Sequence, residues 1–177
     1  NSVTPQINVV SKEIKDLPAD VDSTDHFTLF SFATGEIVPL KDSISTKWDI
    51  GFRTTSIIVN GGSSGMGKAE GMILDTLFDQ VTQAPETGFI VDNYPDFAIP
   101  QGSGHGWYTY NNTEHFILPA ARKVLVFKTA DGKNYVKMQI GSYYKGAPLQ
   151  PKKEDTTGRY YTFRYVYQAN GSRSFTN

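Results

Sequence analysis

The sequence contains no cysteine, so these residues can form no disulfide bond, thiol nucleophile or cysteine-ligated metal site. It also lacks an apolar run close to the roughly 20 residues that a membrane-spanning helix needs. Neither sign of charge dominates, because 17 Lys and Arg residues stand against 18 Asp and Glu residues. We therefore expect no general positive field that would attract nucleic acid or anionic lipid.

Aromatic residues are abundant, with 10 Tyr and 11 Phe in 177 residues, and this composition favours sheet over a helix bundle. Three runs, at residues 48–52, 136–140 and 161–167, alternate apolar and polar positions as half-buried strands do. Glycine-bearing connections, such as the turn at residues 129–132, separate the apolar runs. The sequence therefore predicts an all-β single domain of mostly antiparallel strands and hairpins.

The chain is predicted to divide into an N-terminal arm or tether, residues 1–25, and one β domain, residues 26–177. The arm is polar apart from a short apolar run at residues 7–10, and residues 168–177 form a polar tail. Within the run at residues 48–52, the alternation predicts that Trp48, Ile50 and Phe52 share one face of a central strand.

Five glycines follow this central strand between residues 61 and 71, and they imitate two catalytic motifs. Residues 62–68 match the start of a P-loop, but Ala69 stands where a hydroxyl must hold magnesium. Residues 61–65 match the letters of a nucleophile elbow, which requires an alternating α/β sheet. We interpret the glycines as a strand connection and predict neither nucleotide binding nor an enzyme. A carboxylate pair assembled by the fold is a catalytic arrangement that the sequence leaves open.

Residues 92–121 form a long, poorly periodic insertion with three prolines and several glycines. Such a segment in a compact domain is typically a functional loop. It holds two of the three histidines, His105 and His115, and enough aromatic side chains to argue against disorder. We predict a loop at one rim of the domain whose aromatic residues line a ligand pocket: Tyr94, Phe97, Trp107, Tyr108, Tyr110 and Phe116.

Several motifs occur in the order of a known family: KWDIGFR at residues 47–53, IIVNGG at 57–62, PETGFIVD at 85–92 and TEHFILP at 113–119. With them, residues 27–167 resemble the HmuY family of haem-binding lipoproteins (haemophores) of Bacteroidetes. The resemblance implies an all-β fold, haem as ligand and a place at the cell surface, in the outer membrane or secreted. It also implies a lipidated cysteine upstream of this sequence, and an outer-membrane transporter as a partner.

The resemblance does not supply the haem ligands directly. In the family, two histidines or two methionines hold the iron from the segment that corresponds to residues 92–121. Aligned on Gly106 and Trp107, the second ligand position falls near Asn111 or Asn112, and asparagine is a poor ligand for iron. The ligands therefore cannot be transferred residue by residue.

Three residues are the substitute candidates for axial ligation, since haem needs only one or two His or Met donors. They are His105, His115 and Met66, and each has a simpler interpretation as well. His105 could be an exposed loop histidine, His115 a structural one, and Met66 a flexible apolar residue. His26 is interpreted as a surface residue, and the histidines show no zinc-binding spacing.

The leading functional hypothesis is a non-catalytic, cell-surface haem-binding lipoprotein in haem and iron acquisition. The alternative is a family member that does not bind haem and instead binds another small ligand or an outer-membrane partner protein.

Overall fold

The computed structural model describes residues 9–152 and 156–176. It confirms the all-β prediction, because helix is limited there to two short 3-10 turns, Leu40–Asp42 and Phe78–Gln80. The strands are β1 (Val9–Pro18), β2 (Thr28–Ser31), β3 (Glu36–Val38), β4 (Ile50–Arg53), β5 (Ser56–Val59), β6 (Glu70–Asp75), β7 (Tyr108–Asn111), β8 (Phe116–Pro119), β9 (Lys123–Lys128), β10 (Tyr135–Tyr144) and β11 (Gly158–Gln168).

The strands form two main antiparallel sheets and one separate hairpin. The first sheet has the order β1-β11-β10-β9-β6, the second has the order β3-β2-β4-β5, and β7 pairs with β8. Strand β1 lies within the predicted arm and pairs antiparallel with β11. The arm thus supplies an edge strand of the larger sheet, while residues 1–8 of the arm lie outside the described residues.

The main hydrophobic core lies between the two sheets and is rich in aromatic rings. Phe30 and Phe52 of the four-stranded sheet contact Phe163 of β11, with ring centroids 5.4 and 5.5 Å apart. The Tyr165 hydroxyl donates a hydrogen bond of 2.9 Å to the Phe32 carbonyl, so this buried polar atom is satisfied. Burying each such side chain contributes roughly 1.5–3 kcal/mol, which makes this interface the main source of stability.

The predicted face of the central strand is right for two residues and wrong for the third. Ile50 and Phe52 are buried in the main core, as the alternation predicts, but Trp48 packs with Leu29 and Ile58 in a separate cluster. The regular strand begins only at Ile50. Asp49 accepts hydrogen bonds from the interior backbone N–H groups of Phe32 and Ala130, and this contact reverses the expected orientation at residues 48 and 49.

The outer faces of the two sheets are covered differently. The five-stranded sheet carries a second cluster, in which Phe78, Val81 and Phe175 cover Val124 and Val126. The predicted polar tail thus packs on the domain through Phe175. The four-stranded sheet carries the small cluster around Trp48, and a cleft opens beside it. Within residues 9–152 and 156–176, no helix is long and apolar enough to cross a membrane.

Candidate functional site

A cleft of about 610 Å³ opens on the outer face of the four-stranded sheet. Its floor consists of Phe27, Leu29, Trp48 and Ile58, and its rim includes residues 62–66 of the glycine-rich loop. We call it the His26–Met66 cleft, after two potential metal donors among its lining residues. Small-molecule sites typically occupy about 300–1,000 Å³ and have mostly apolar walls, so its size and lining suit a ligand. The remaining lining residues are Asp25, Leu40, Ser43 and Ile44.

The apolar floor is fixed by packing and by one hydrogen bond. Trp48 is only 2% exposed, and its indole N–H donates to the Ser43 carbonyl at 2.9 Å. Gly51 pairs in register with Leu29 on one neighbouring strand and Ile58 on the other. A Cβ atom at Gly51 would lie 3.0 Å from Ile58 Cγ1, so glycine is the residue that this close packing accommodates.

The glycine-rich loop folds tightly around the buried side chain of Asn60. The Asn60 amide donates to the carbonyls of Ser45 and Trp48, and its Oδ1 accepts from the N–H of Gly67. At Gly65 a Cβ atom would lie 2.0 Å from Asn60 Oδ1, so a larger residue cannot occupy that position without displacing the loop. Asn60 thus connects two parts of the cleft rim. Strand β6 follows this loop where a P-loop would begin a helix.

Asp92 attaches the start of the insertion to the sheet. It is 1% exposed, and its carboxylate accepts hydrogen bonds from the N–H groups of Val59 and Ala98. Its backbone carbonyl also accepts from the N–H of Ser63, a residue of the cleft rim. The glycine-rich loop and the insertion are therefore held against each other.

Asp49 lies behind the cleft and is the strongly perturbed carboxylic acid of the described residues. Burial raises the pKa of its carboxyl to about 6, while the two backbone N–H donors act in the opposite direction. Its backbone carbonyl accepts the N–H of Asn60 at 2.9 Å. The backbone that supports the cleft is therefore bonded to a residue whose carboxyl pKa is raised by burial.

Met66 and His26 bring a thioether and an imidazole to the same cleft. Met66 is 64% exposed, which is unusual for an apolar side chain that only fills space. His26 is exposed next to Phe27, and the sequence interpretation missed it as a site residue. The sequence gives no local signal for His26 as a site residue. The β2–β4 register places Thr28 opposite Phe52, so His26 lies at the Arg53 end of the sheet and Trp48 at the other end.

A comparison with protein families shows to which family the chain belongs. The model of the HmuY protein family matches residues 23–165, most of the chain. The chain belongs to the HmuY family. No curated protein sequence matches it. Membership of the HmuY family indicates a binding protein with a ligand of the haem type.

For this HmuY family member, the histidines predicted as haem ligands lie in different places. His105 lines a cleft of about 340 Å³ together with Met72. We call it the His105 cleft; its other lining residues are Gly71, Ile73, Asp75, Gly88, Ile90, Ala98, Pro100 and Lys123. His115 lies on the β7–β8 hairpin, and its Nδ1 is 2.9 Å from the Tyr110 hydroxyl. His105, His115 and Met66 therefore line three separate clefts.

The six aromatic residues predicted to line the pocket also separate. Trp107 and Phe116 are buried in the main core, and Tyr108 packs against that core. Tyr110 is exposed on the hairpin, and its hydroxyl bonds to His115. Tyr94 and Phe97 instead lie near the His26–Met66 cleft: the Tyr94 N–H donates to the Ser63 hydroxyl, and Phe97 packs in the cluster with Trp48.

The donors present fit haem better than they fit a bare metal ion. In the part of the chain that the structure describes, no group of three or more His, Asp or Glu residues could hold a metal. Haem iron already has four porphyrin nitrogens and needs only one or two donors from the protein. The aromatic and aliphatic floor suits a porphyrin, and Met66 and His26 are both accepted axial donors.

Proposed function

We propose that this HmuY family member is a non-catalytic, cell-surface haem-binding protein in haem and iron acquisition, and that it holds haem in the His26–Met66 cleft. One observation supports the choice of this cleft. The cleft combines an apolar, partly aromatic floor with an exposed thioether at Met66, which is one of the three predicted axial donors.

The floor supplies the binding energy in this proposal. Each Å² of apolar surface removed from water contributes about 25 cal/mol, so covering roughly 200 Å² of porphyrin would contribute about 5 kcal/mol before the costs of association. Phe27, which is half-buried, offers ring surface to the ligand, and the buried side chains of Trp48, Leu29 and Ile58 form the apolar base beneath it. An axial donor then adds affinity and sets the position of the iron.

The proposed location and partner rest on the family alone. A lipid anchor upstream of this sequence would keep the protein at the outer membrane, and a transporter there would receive the haem. The main alternative is that the chain does not bind haem and instead binds another small ligand or an outer-membrane partner protein. The separation of His105 and His115 favours this alternative, because the insertion then offers no pair of iron donors.

A steric block of each cleft tests the proposal. Ser64 lines the His26–Met66 cleft, and Ile90 is 53% exposed at the His105 cleft. Ser64→Trp should lower the affinity for haemin at least about tenfold, which corresponds to about 1.4 kcal/mol. Ile90→Trp is the matched control and should leave haemin binding unchanged. Binding is measured by titration of the Soret absorption.

Two results of this titration contradict the proposal. If Ile90→Trp blocks haemin and Ser64→Trp does not, the ligand occupies the His105 cleft. If the unmodified protein gives only the spectrum of free haemin, the haem hypothesis fails and the alternative ligand takes its place.

A further inference from the structure

We propose that the outer face of the four-stranded sheet is the contact surface of a homodimer, in which two copies of this chain pack face to face about a two-fold axis. The contact forms without ligand and therefore goes beyond the proposed function. Three properties of this face support it: exposed apolar side chains, a groove beside them, and opposite charges at its two ends.

Four exposed apolar side chains lie together on this face. Ile44 is 87% exposed and Met66 64% exposed, and both line the His26–Met66 cleft. Ile37 and Leu40 are 51% and 47% exposed, and both line a neighbouring cleft of about 330 Å³. Scattered exposed apolar residues are ordinary, whereas a cluster of them on one face typically marks an interaction site.

The two clefts form one groove along the strands. The neighbouring cleft, which we call the Ile37 cleft, includes Thr28. Since Thr28 pairs with Phe52, the Ile37 cleft lies at the Arg53 end of the sheet. The His26–Met66 cleft extends from there to the Trp48 end. The two clefts share four lining residues: His26, Phe27, Leu29 and Leu40.

The Trp48 end of the groove carries the two most exposed of these side chains, Ile44 and Met66. The Asn60 amide donates hydrogen bonds to the carbonyls of Ser45 and Trp48, and its Oδ1 accepts from an N–H of the loop that carries Met66. Both segments are thus held beside each other at this end. Because their backbones are already ordered, a contact made through Ile44 and Met66 costs little further ordering.

The two ends of this face carry opposite charges. At the Arg53 end, Asp22 is exposed and forms no ion pair within residues 9–152 and 156–176. Asp25 lies there too, with its side chain 90% exposed and 3.1 Å from Arg53. At the opposite end, the Lys47 side chain is 67% exposed and lies 3.4 Å from Asp42. So exposed a pair contributes little, and Lys47 can therefore bind a carboxylate of another molecule.

A two-fold axis makes this face complementary to itself. In an interface of this kind, each contact between the two copies occurs twice with the roles exchanged. Turning a second copy over the face brings its Ile44 and Met66 onto the Ile37 cleft of the first and its Lys47 toward Asp22. The apolar side chains leave water at the hollow end of the groove, and the opposite charges select this orientation over the others.

Sedimentation velocity of the full, ligand-free chain tests the contact. The unmodified protein should be mainly dimeric at about 50 μM. Ile44→Asp should raise the dissociation constant of the dimer at least about 100-fold, since it buries one uncompensated carboxylate in each half of the interface. Leu149→Asp is the matched control. Leu149 is fully exposed and lines neither cleft, so the dissociation constant should change less than about twofold.

An exchange of charges tests the two-fold arrangement. Lys47→Glu and Asp22→Lys should each raise the dissociation constant about tenfold, because like charges then meet at both ends of the interface. The double variant should return to within about threefold of the unmodified value, since opposite charges meet again. Both side chains are exposed, so these substitutions should leave the melting temperature nearly unchanged.

Three results would overturn this dimer. A monomer at every concentration up to about 200 μM would leave the face to another class of partner, such as lipid or a different protein. A dimer that persists in Ile44→Asp would place the interface elsewhere on the molecule. A double variant that dimerises no better than the single variants would exclude the two-fold arrangement. Haemin is absent from all these measurements, so none of them decides the proposed function.

Discussion

The His26–Met66 cleft and the His105 cleft each bring one histidine and one methionine to the same cavity, but their surroundings differ. The first measures about 610 Å³ and has Phe27 and Trp48 on its floor. The second measures about 340 Å³, has no aromatic residue among its lining side chains, and includes Asp75 and Lys123. Iron donors can thus occur together without a surface that buries a porphyrin. The floor, more than the donors, distinguishes a candidate haem site here.

The two clefts also differ in the interactions that stabilise their walls. Behind the first lie the buried amide of Asn60 and the buried carboxyl of Asp49, each bonded to backbone groups of separate segments. Beside the second lies the ion pair of Asp75 and Lys123, whose side chains are 76% and 29% exposed. Buried hydrogen-bonded groups are costly to remove, while an exposed ion pair contributes about 1 kcal/mol or less. The first cleft should therefore be the more rigid of the two.

Replacing Asn60 should produce the largest effect. Asn60→Ala leaves the carbonyls of Ser45 and Trp48 and the N–H of Gly67 without their partner. Each buried unsatisfied group costs about 1–3 kcal/mol, so we expect a loss of about 4 kcal/mol in the free energy of unfolding. Denaturant unfolding, followed by tryptophan fluorescence, measures this loss. The control Lys123→Ala, at the other cleft, should cost about 1 kcal/mol or less. Equal losses in both variants would remove the proposed difference in rigidity.

Asp49 should make the stability of the protein depend on pH. Its folded pKa, raised by burial to about 6, exceeds the value of about 3.9 for an unfolded Asp, so the folded state holds the proton more strongly. This contribution is complete below pH 4 and is lost as the pH rises through 6. We expect it to amount to about 3 kcal/mol, at 1.36 kcal/mol for each pKa unit.

The Asp49→Asn variant isolates this contribution, since it cannot titrate. Between pH 4 and pH 7, the free energy of unfolding of the unmodified protein should fall by about 3 kcal/mol relative to that of Asp49→Asn. A constant difference between the two curves would mean that Asp49 does not titrate there. Haemin affinity, measured in parallel, shows whether the cleft in front of Asp49 responds to the same proton.

The alternation of apolar residues was sufficient to predict the sheets, because Ile50, Phe52 and the β11 aromatics follow the period of a strand. It failed at Trp48, where the side chain of Asp49 bonds to Ala130, a residue 81 positions away. The site was harder to predict because it too depends on residues that are distant in the sequence. His26, Trp48 and Met66 line one cleft only because β2, β4 and the glycine-rich loop come together, and that arrangement has no local signal in the sequence. The aromatic composition of the insertion predicted a ligand pocket, but Trp107 and Phe116 are buried in the main core.

The smallest expected effects belong to the two histidines of the insertion, whose ligand roles remain predictions. His115 lies on an exposed hairpin and already shares a hydrogen bond with Tyr110, so His115→Ala should change haemin affinity less than about twofold and stability by about 0.5 kcal/mol. His105→Ala should also leave haemin binding nearly unchanged, because its cleft lacks an aromatic floor. Each variant is titrated with oxidised and reduced haem while Soret absorption is followed. Loss or displacement of the Soret band in His105→Ala would place haem in the His105 cleft. The donor side chains, and not an aromatic floor, would then determine where haem binds, and Met72 in the same cleft would be the next residue to replace.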